Sequence, residues 1–144
     1  MASDTGISMV LLPFEELPAV YVRNGATART IDLSEYEIAE KLLMKAIHAY
    51  NEERSEKFVE YMSQNPDADW TRTDIFIEPE KYYRQYIPYT NGKGERCLWI
   101  NFFRHPVGNW LEHRVSVEGG GNSFFSIGLN MDTGKRFDFR TNEE

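Results

Sequence analysis

Two histidines and a glutamate are spaced closely enough to raise the question of a metal site. His105, Glu112 and His113 bracket a short loop, and two imidazoles with one carboxylate could bind zinc if the chain folded back there. Zinc ligands in structural sites more often come in tight pairs, and on a strand Glu112 would point away from His113. We therefore predict no metal site and no cofactor. The third histidine, His48, falls in a predicted helix, where we expect it to be exposed or half-buried.

The residues that could act as nucleophiles or acid–base pairs lack the surroundings that such chemistry needs. Cys97 is the single cysteine, which excludes an internal disulfide, and it stands in a predicted strand, where a small, partly buried thiol is the ordinary expectation. No Gly-x-Ser-x-Gly elbow is present. The neighbouring pairs Glu15-Glu16 and Glu52-Glu53 would diverge by about 100° on a helix and could not share a proton. The sequence therefore predicts that the protein is not an enzyme.

The three consecutive glycines at 119–121 are a second candidate for chemistry, because glycine-rich loops can cradle phosphates. A phosphate-binding loop of that kind runs from a strand into a helix and carries a lysine. No lysine follows here, and Phe125, Ile127 and Leu129 alternate with polar or small residues, which indicates a strand. We predict that the glycines form a turn, where they supply a positive φ at low steric cost.

The elements that must position these residues fall into an α+β order. From residue 82 onward, apolar residues alternate and turn signals recur, which predicts strands over 82–89, 96–103, 111–118, 123–130 and 136–141. The connections are too short for parallel crossovers, so we expect an antiparallel meander of four to five strands. Because the predicted helix precedes all of the predicted strands in the chain, we expect the helix to pack on one face of that sheet.

The predicted helix covers residues 34–64. Ser34 and Glu37 have the form of a capping box at its start, and apolar residues recur at three- and four-residue spacing after it. A straight helix of this length would measure about 45 Å, more than a small domain can cover, so one long helix or a helix broken near residue 54 fits, and we favour the break. Residues 1–30 read as an extended arm, and residues 31–144 as one domain.

The composition and the net charge restrict the classes of partner that the protein is expected to bind. The chain has 144 residues and a net charge of −7, and residues 31–80 hold thirteen acids against five bases, so an acidic half would oppose the phosphates of nucleic acid. No apolar run is long enough to span a membrane, so we expect neither nucleic acid nor membrane as a partner. The N-terminal sequence lacks the pattern of a secretory leader, which favours the cytoplasm, or export if a leader was trimmed.

One face of the predicted sheet is rich in aromatic residues and arginine, which are common where binding energy concentrates. From this we predict a non-catalytic module that binds another protein, for example as an inhibitor or an immunity protein, or that binds a second copy of itself. The residues assigned to this face are Tyr82, Arg84, Tyr86, Trp99, Asn101, Phe103 and Arg114.

Two alternatives remain open. In one, the arm covers this face as a second core layer. In the other, the protein is a small-ligand binder or enzyme with a pocket between helix and sheet, lined by Tyr36, Tyr50, Trp70 and Trp99.

The second half of the chain also resembles a group of small uncharacterised bacterial proteins. The shared features are a Tyr-Tyr-Arg-Gln-Tyr strand, a Leu-Trp-Ile-Asn strand, a later tryptophan, a glycine pair before an aromatic residue, Asn-x-x-Thr-Gly-Lys, and a final asparagine. The matching positions are Tyr82, Tyr83, Arg84, Tyr86, Trp99, Asn101, Trp110, Gly119, Gly120, Phe125, Asn130, Thr133, Gly134, Lys135 and Asn142. The resemblance implies a cystatin-like, helix-on-sheet body and carries over no activity and no site residue.

Overall fold

The fold is α+β, one long helix on a mostly antiparallel sheet. The computed structural model describes residues 8–67, 76–117, 119 and 121–142. Its elements, in order, are β1 (Met9–Leu11), α1 (Ala19–Arg23), β2 (Thr27–Ala28), α2 (Leu33–Gln64), β3 (Tyr83–Thr90), β4 (Arg96–Phe103), β5 (Gly121–Asn130) and β6 (Arg136–Asn142), with 3-10 turns at Phe14–Glu16 and Pro79–Lys81.

The sheet order is β1-β3-β4-β5-β6, and β2 also pairs with β3. Strands β3 to β6 form the predicted antiparallel meander. The parallel pairing of β1 with β3 adds an edge that was not predicted.

The N-cap of helix α2 lies two residues before the predicted one. The Asp32 side chain accepts a hydrogen bond from the Glu35 amide at 2.9 Å, so Asp32 is the N-cap and the prediction of Ser34 in that role is wrong. The helix then runs for 32 residues without a break near residue 54. Its last fully buried residue is Ile47, and in the second half Phe58 is half-buried, with its ring edge-on to Phe76 at 6.4 Å. No helix in the described ranges is long and apolar enough to cross a membrane.

The main core lies between α2 and the sheet. Ala39, Leu43 and Ile47 of the helix pack on alternate residues of the central strands. Those strand residues are Leu98, Ile100 and Phe102 of β4 and Phe125, Ile127 and Leu129 of β5, all at most 1% exposed. The period of two along each strand therefore matches the prediction for β4 and β5.

The N-terminal arm is a folded cover over the other face of the sheet, not only the extended segment that was predicted. Leu12, Leu17 and Ala26 pack on the side chains of Cys97 and Trp99. Arg29 ties the end of the arm to sheet and helix. Its guanidinium donates to the Tyr89 carbonyl at 2.9 Å, the Cys97 carbonyl at 2.7 Å and the Glu35 carboxylate at 2.9 Å.

The predicted strand at 111–118 is not a strand in the described residues, and Glu118 lies outside them. Two buried side chains of the sheet hold this segment as a loop. Gln85 Nε2 donates to the carbonyls of Trp110 and His113, both at 2.7 Å, and its Oε1 accepts from the Val115 amide at 2.9 Å. Asn101 Nδ2 donates to the Val115 carbonyl at 2.8 Å. Because these side chains take the backbone groups of the loop, β4 pairs directly with β5.

Candidate functional site

The predicted aromatic and arginine face combines residues that the structure places on opposite sides of the sheet. Directly opposite residues of an antiparallel pair point to the same face, and Arg84 lies opposite Phe102 while Tyr86 lies opposite Ile100. Tyr82, Arg84 and Tyr86 therefore face the helix. Their assignment to the same side as Trp99, Asn101 and Phe103 is wrong, because the register of β3 is shifted by one residue from the predicted one.

The remaining predicted residues lie on the second face but are covered within the chain. Trp99 is 6% exposed and Phe103 is fully buried. The loop 104–117 covers Phe103, with Trp110 packed edge-on against its ring at 5.6 Å. Arg114 donates from its backbone amide to the Glu16 carboxylate at 2.7 Å. The second face is thus a second core layer. This was the alternative in which the N-terminal arm covers the face.

The four residues predicted to line one ligand pocket are also dispersed. Tyr36 lines a groove beside β1, and Tyr50 lines a separate cavity between α2 and β6. Trp99 lies on the opposite face of the sheet, and Trp70 lies outside the described residues. The three described residues of this set therefore do not line a common pocket.

The candidate chemical residues have ordinary structural partners. His113 Nδ1 lies 3.2 Å from a Glu16 carboxylate oxygen, Glu112 accepts from Asn109 at 3.1 Å, and His48 is exposed on α2 beside Glu52. In the part of the chain that the structure describes, no group of three or more His, Cys, Asp or Glu side chains is placed to hold a metal ion.

Burial raises the pKa of the Cys97 thiol, which opposes formation of a thiolate nucleophile. The predicted strand after the glycines is β5, but it begins at Gly121, so the prediction of a turn is wrong for that glycine. Gly119 has a φ of +74°, and Gly120 lies outside the described residues.

A polar network connects α2 to the sheet near the start of the helix. Tyr86 donates its hydroxyl hydrogen to Glu40 at 2.8 Å, and Arg84 donates to Glu40 at 2.7 Å and to the Tyr86 oxygen at 3.0 Å. Burial raises the pKa of Tyr86, so this hydroxyl stays protonated and is not a base. The network fixes the Tyr86 ring in place, with one side of the ring facing a groove.

This groove, which we call the β1 groove, is lined mainly by apolar side chains. It has a volume of about 290 Å³ and lies between β1 and the start of α2. Its residues are Met9, Val10, Leu11, Ile31, Asp32, Leu33, Tyr36 and Tyr86. Three of these carry large exposed apolar side chains: Leu33 is 73% exposed, Leu11 56% and Met9 39%. Exposed apolar side chains gathered around a groove are typical of a binding site.

The backbone of β1 is open along the rim of the same groove. The Ser8 carbonyl accepts from the Arg84 amide at 2.8 Å, and the Leu12 amide donates to the Tyr86 carbonyl at 2.9 Å. Backbone groups of successive strand residues point to alternate sides, so the N–H and C=O groups of Met9 and Leu11 point away from β3. Within the described residues no strand pairs with that side of β1. The strand therefore offers two donors and two acceptors beside the groove.

The opposite edge of the sheet, β6, is protected against such pairing. Asp138 has a φ of +50°, and the register with β5 shifts between Ser126 and Gly128. This bulge places Phe137 on the second face and Phe139 on the helix face, although simple alternation would put them on the same side. Tyr21 holds it by donating to the Asp138 carboxylate at 2.7 Å. Bulges and charged residues in an edge strand hinder its pairing with a further strand, and β1 has neither.

The sequence contained a signal for this site that was assigned no function. Residues 9–12 form a short apolar run that Pro13 ends, but the pairing of that run with β3 joins residues some 75 positions apart and has no local pattern.

Comparison with known proteins adds no relative, since no protein-family model, curated protein or solved structure matches the chain. The resemblance to small bacterial proteins therefore stays a prediction.

Proposed function

We propose that this protein is a non-catalytic binding module that takes up an extended, apolar segment of another protein by strand addition at β1. The observation that carries the proposal is the coincidence of an open strand edge with an apolar groove. In strand addition, backbone hydrogen bonds supply affinity while pockets for alternate side chains supply specificity. Met9 and Leu11 provide both parts, because their backbone groups face outward and their side chains line the groove.

The dimensions of the groove favour a side chain of a partner over a free small molecule. Pockets that enclose small ligands usually measure about 300 to 1,000 Å³, and this groove of about 290 Å³ falls just below that range. One or two leucine- or phenylalanine-sized side chains from an added strand would fit within it. The site differs from the predicted sheet face, but the class of function is the same.

The interaction is expected to be weak and reversible. Four outward backbone groups allow up to four hydrogen bonds at about 1 kcal/mol each, and burial of one large apolar side chain contributes about 2 kcal/mol. Ordering the partner segment offsets part of this sum of about 6 kcal/mol, so we expect dissociation constants between about 0.1 and 1 mM. A partner that makes further contacts outside the groove would bind more tightly.

The test is a selection of random ten-residue peptides on the immobilised protein. We expect enriched peptides to combine residues of high strand propensity with a large apolar residue, and to lose binding to Leu11→Asp. The matched control is Val59→Asp, which places the same charge at a 65% exposed apolar position on α2, far along the chain from the groove. Circular dichroism of both variants establishes that they fold. Peptides that bind the Leu11→Asp and native proteins equally, or no enrichment at all, would refute the proposal.

A further inference from the structure

A small cavity lies on the second face of the sheet, between the central strands and the loop 104–117. This loop cavity measures about 140 Å³, and its lining includes Trp99, Asn101, Phe124 and Ser126 of the sheet and the loop segment 115–117. It has room for four or five water molecules, at about 30 Å³ each. None of the described residues that line it is charged, so the cavity suits a small uncharged molecule.

The side-chain amide of Asn101 is held so that its oxygen is directed toward this cavity. Asn101 Nδ2 donates to Gln85 Oε1 at 3.0 Å, on the β3 side, and to the Val115 carbonyl at 2.8 Å. Both partners are acceptors, which fixes the end of the amide that carries the nitrogen. Oδ1 is therefore turned to the β5 side, where Ser126 lies opposite Asn101. It accepts no hydrogen bond from any described residue, although Asn101 is only 8% exposed.

Two further polar groups of the lining have no partner among the described residues. Trp99 is buried, and its indole N–H makes no hydrogen bond to them. The Ser126 hydroxyl, half-buried opposite Asn101, makes none either. These atoms are not sealed inside the core, because each still contacts open space. The lining of the cavity therefore carries one unpaired donor, one unpaired acceptor and one hydroxyl that can act as either.

We infer that the loop cavity binds a small uncharged carboxamide, whose carbonyl accepts from the Trp99 indole N–H and whose NH₂ group donates to Asn101 Oδ1. A primary amide carries a donor and an acceptor side by side, so it complements both unpaired groups of the lining at once. A carboxylate of the same shape has no donor for Asn101, and it would lose its hydration at a site whose described lining holds no cation. This site lies on the face of the sheet opposite the β1 groove and is independent of strand addition at β1.

The test compares three probes of equal size and shape by NMR titration: acetamide, acetone and acetate. Acetone keeps the carbonyl and lacks the donor, while acetate lacks the donor and carries a charge. We expect acetamide to shift the Trp99 indole N–H resonance saturably, with a dissociation constant in the millimolar range because the ligand is so small. Acetone and acetate should each bind at least about fivefold more weakly, since the hydrogen bond to Asn101 is lost.

Two substitutions in the lining provide the second part of the test. Trp99→Phe keeps a ring and removes the N–H, so it should weaken acetamide binding about fivefold, as followed by backbone amide resonances. Ser126→Val fills part of the cavity from a strand position that suits a β-branched residue, and should weaken binding at least about tenfold. The matched control is Trp110→Phe, which removes a buried indole N–H outside the lining and should change nothing.

Circular dichroism establishes which variants fold. The inference is overturned if no probe shifts the Trp99 resonance saturably, which would leave water as the occupant of the cavity. It is also overturned if acetone or acetate binds as tightly as acetamide, or if either lining variant, when folded, binds acetamide as the native protein does.

Discussion

Gly128→Ala should destabilise the protein through one contact, between residue 128 on β5 and the ring of Phe137 on β6. A methyl group at position 128 would overlap that ring, with Cδ2 at 2.7 Å and Cε2 and Cζ closer still. Phe137 lies over this glycine because the two residues are directly opposite each other in the β5–β6 pairing and share the second face. Overpacking of this kind costs about 1–3 kcal/mol of unfolding free energy.

A double-mutant cycle separates this clash from other effects of the substitution. Phe137→Ala alone should cost about 2 kcal/mol, roughly half of the loss for a fully buried phenylalanine, since the ring is half-buried. With the ring gone, the added methyl meets no clash, so Gly128→Ala should then be neutral or stabilising by up to about 0.5 kcal/mol. The double variant should therefore be no less stable than Phe137→Ala, with a coupling of about 1–3 kcal/mol.

Urea denaturation of the four proteins, monitored by tryptophan fluorescence, measures the cycle. If the two single costs add to within about 0.5 kcal/mol, the residues are not coupled. That result would refute the placement of Phe137 over Gly128 and the β5–β6 register that brings them together.

Three further predictions concern the elements that position the site. Asp32→Ala removes the cap that accepts from the Glu35 amide and should cost about 1 kcal/mol in urea denaturation, while Asp32→Asn should restore most of it. Gln85→Leu leaves two loop carbonyls and one amide unpaired, so it should cost at least about 3 kcal/mol and increase amide exchange in residues 110–115; unchanged exchange would contradict the role given to this side chain. The Arg114 amide lowers the pKa of Glu16, so this carboxylate adds stability above its ordinary pKa of 4.5 that is lost as pH falls through its folded value. Glu16→Gln should abolish that part of the pH dependence of unfolding, and a native-minus-variant difference that stays constant from pH 7 to pH 3 would contradict it.

Local patterns in the sequence predicted the elements whose faces are decided by local alternation. The bounds of β4 were predicted as the structure has them, and β5 and β6 to within two residues. Leu98, Ile100 and Phe102 face the helix as expected because a single apolar row alternates with the rest. The helix was predicted for the same reason, and only its cap and its continuity were wrong.

Long-range contacts decided the features that the sequence did not predict. Strand β3 has aromatic or apolar residues on both faces, so its alternation does not show which row faces the helix. Only its register with β4 does so. Apolar and polar residues alternate over 111–117 as they would in a strand. However, the side chains of Gln85 and Asn101, which lie in the sheet, form hydrogen bonds with the backbone of this segment and hold it as a loop. The β1 groove depends on the same kind of contact, since Met9 and Tyr86 meet only after β1 pairs with β3.

Strand addition at β1 is tested most directly by removing one outward backbone donor. Met9→Pro deletes an N–H that makes no bond to β3, whereas Met9→Ala keeps that N–H and removes the same long side chain. For a peptide selected on the native protein, binding to Met9→Pro should be at least about tenfold weaker than to Met9→Ala, because the peptide loses one hydrogen bond and meets the proline ring. Equal binding of the peptide to both folded variants would show that it does not pair with β1, and would contradict the proposed function.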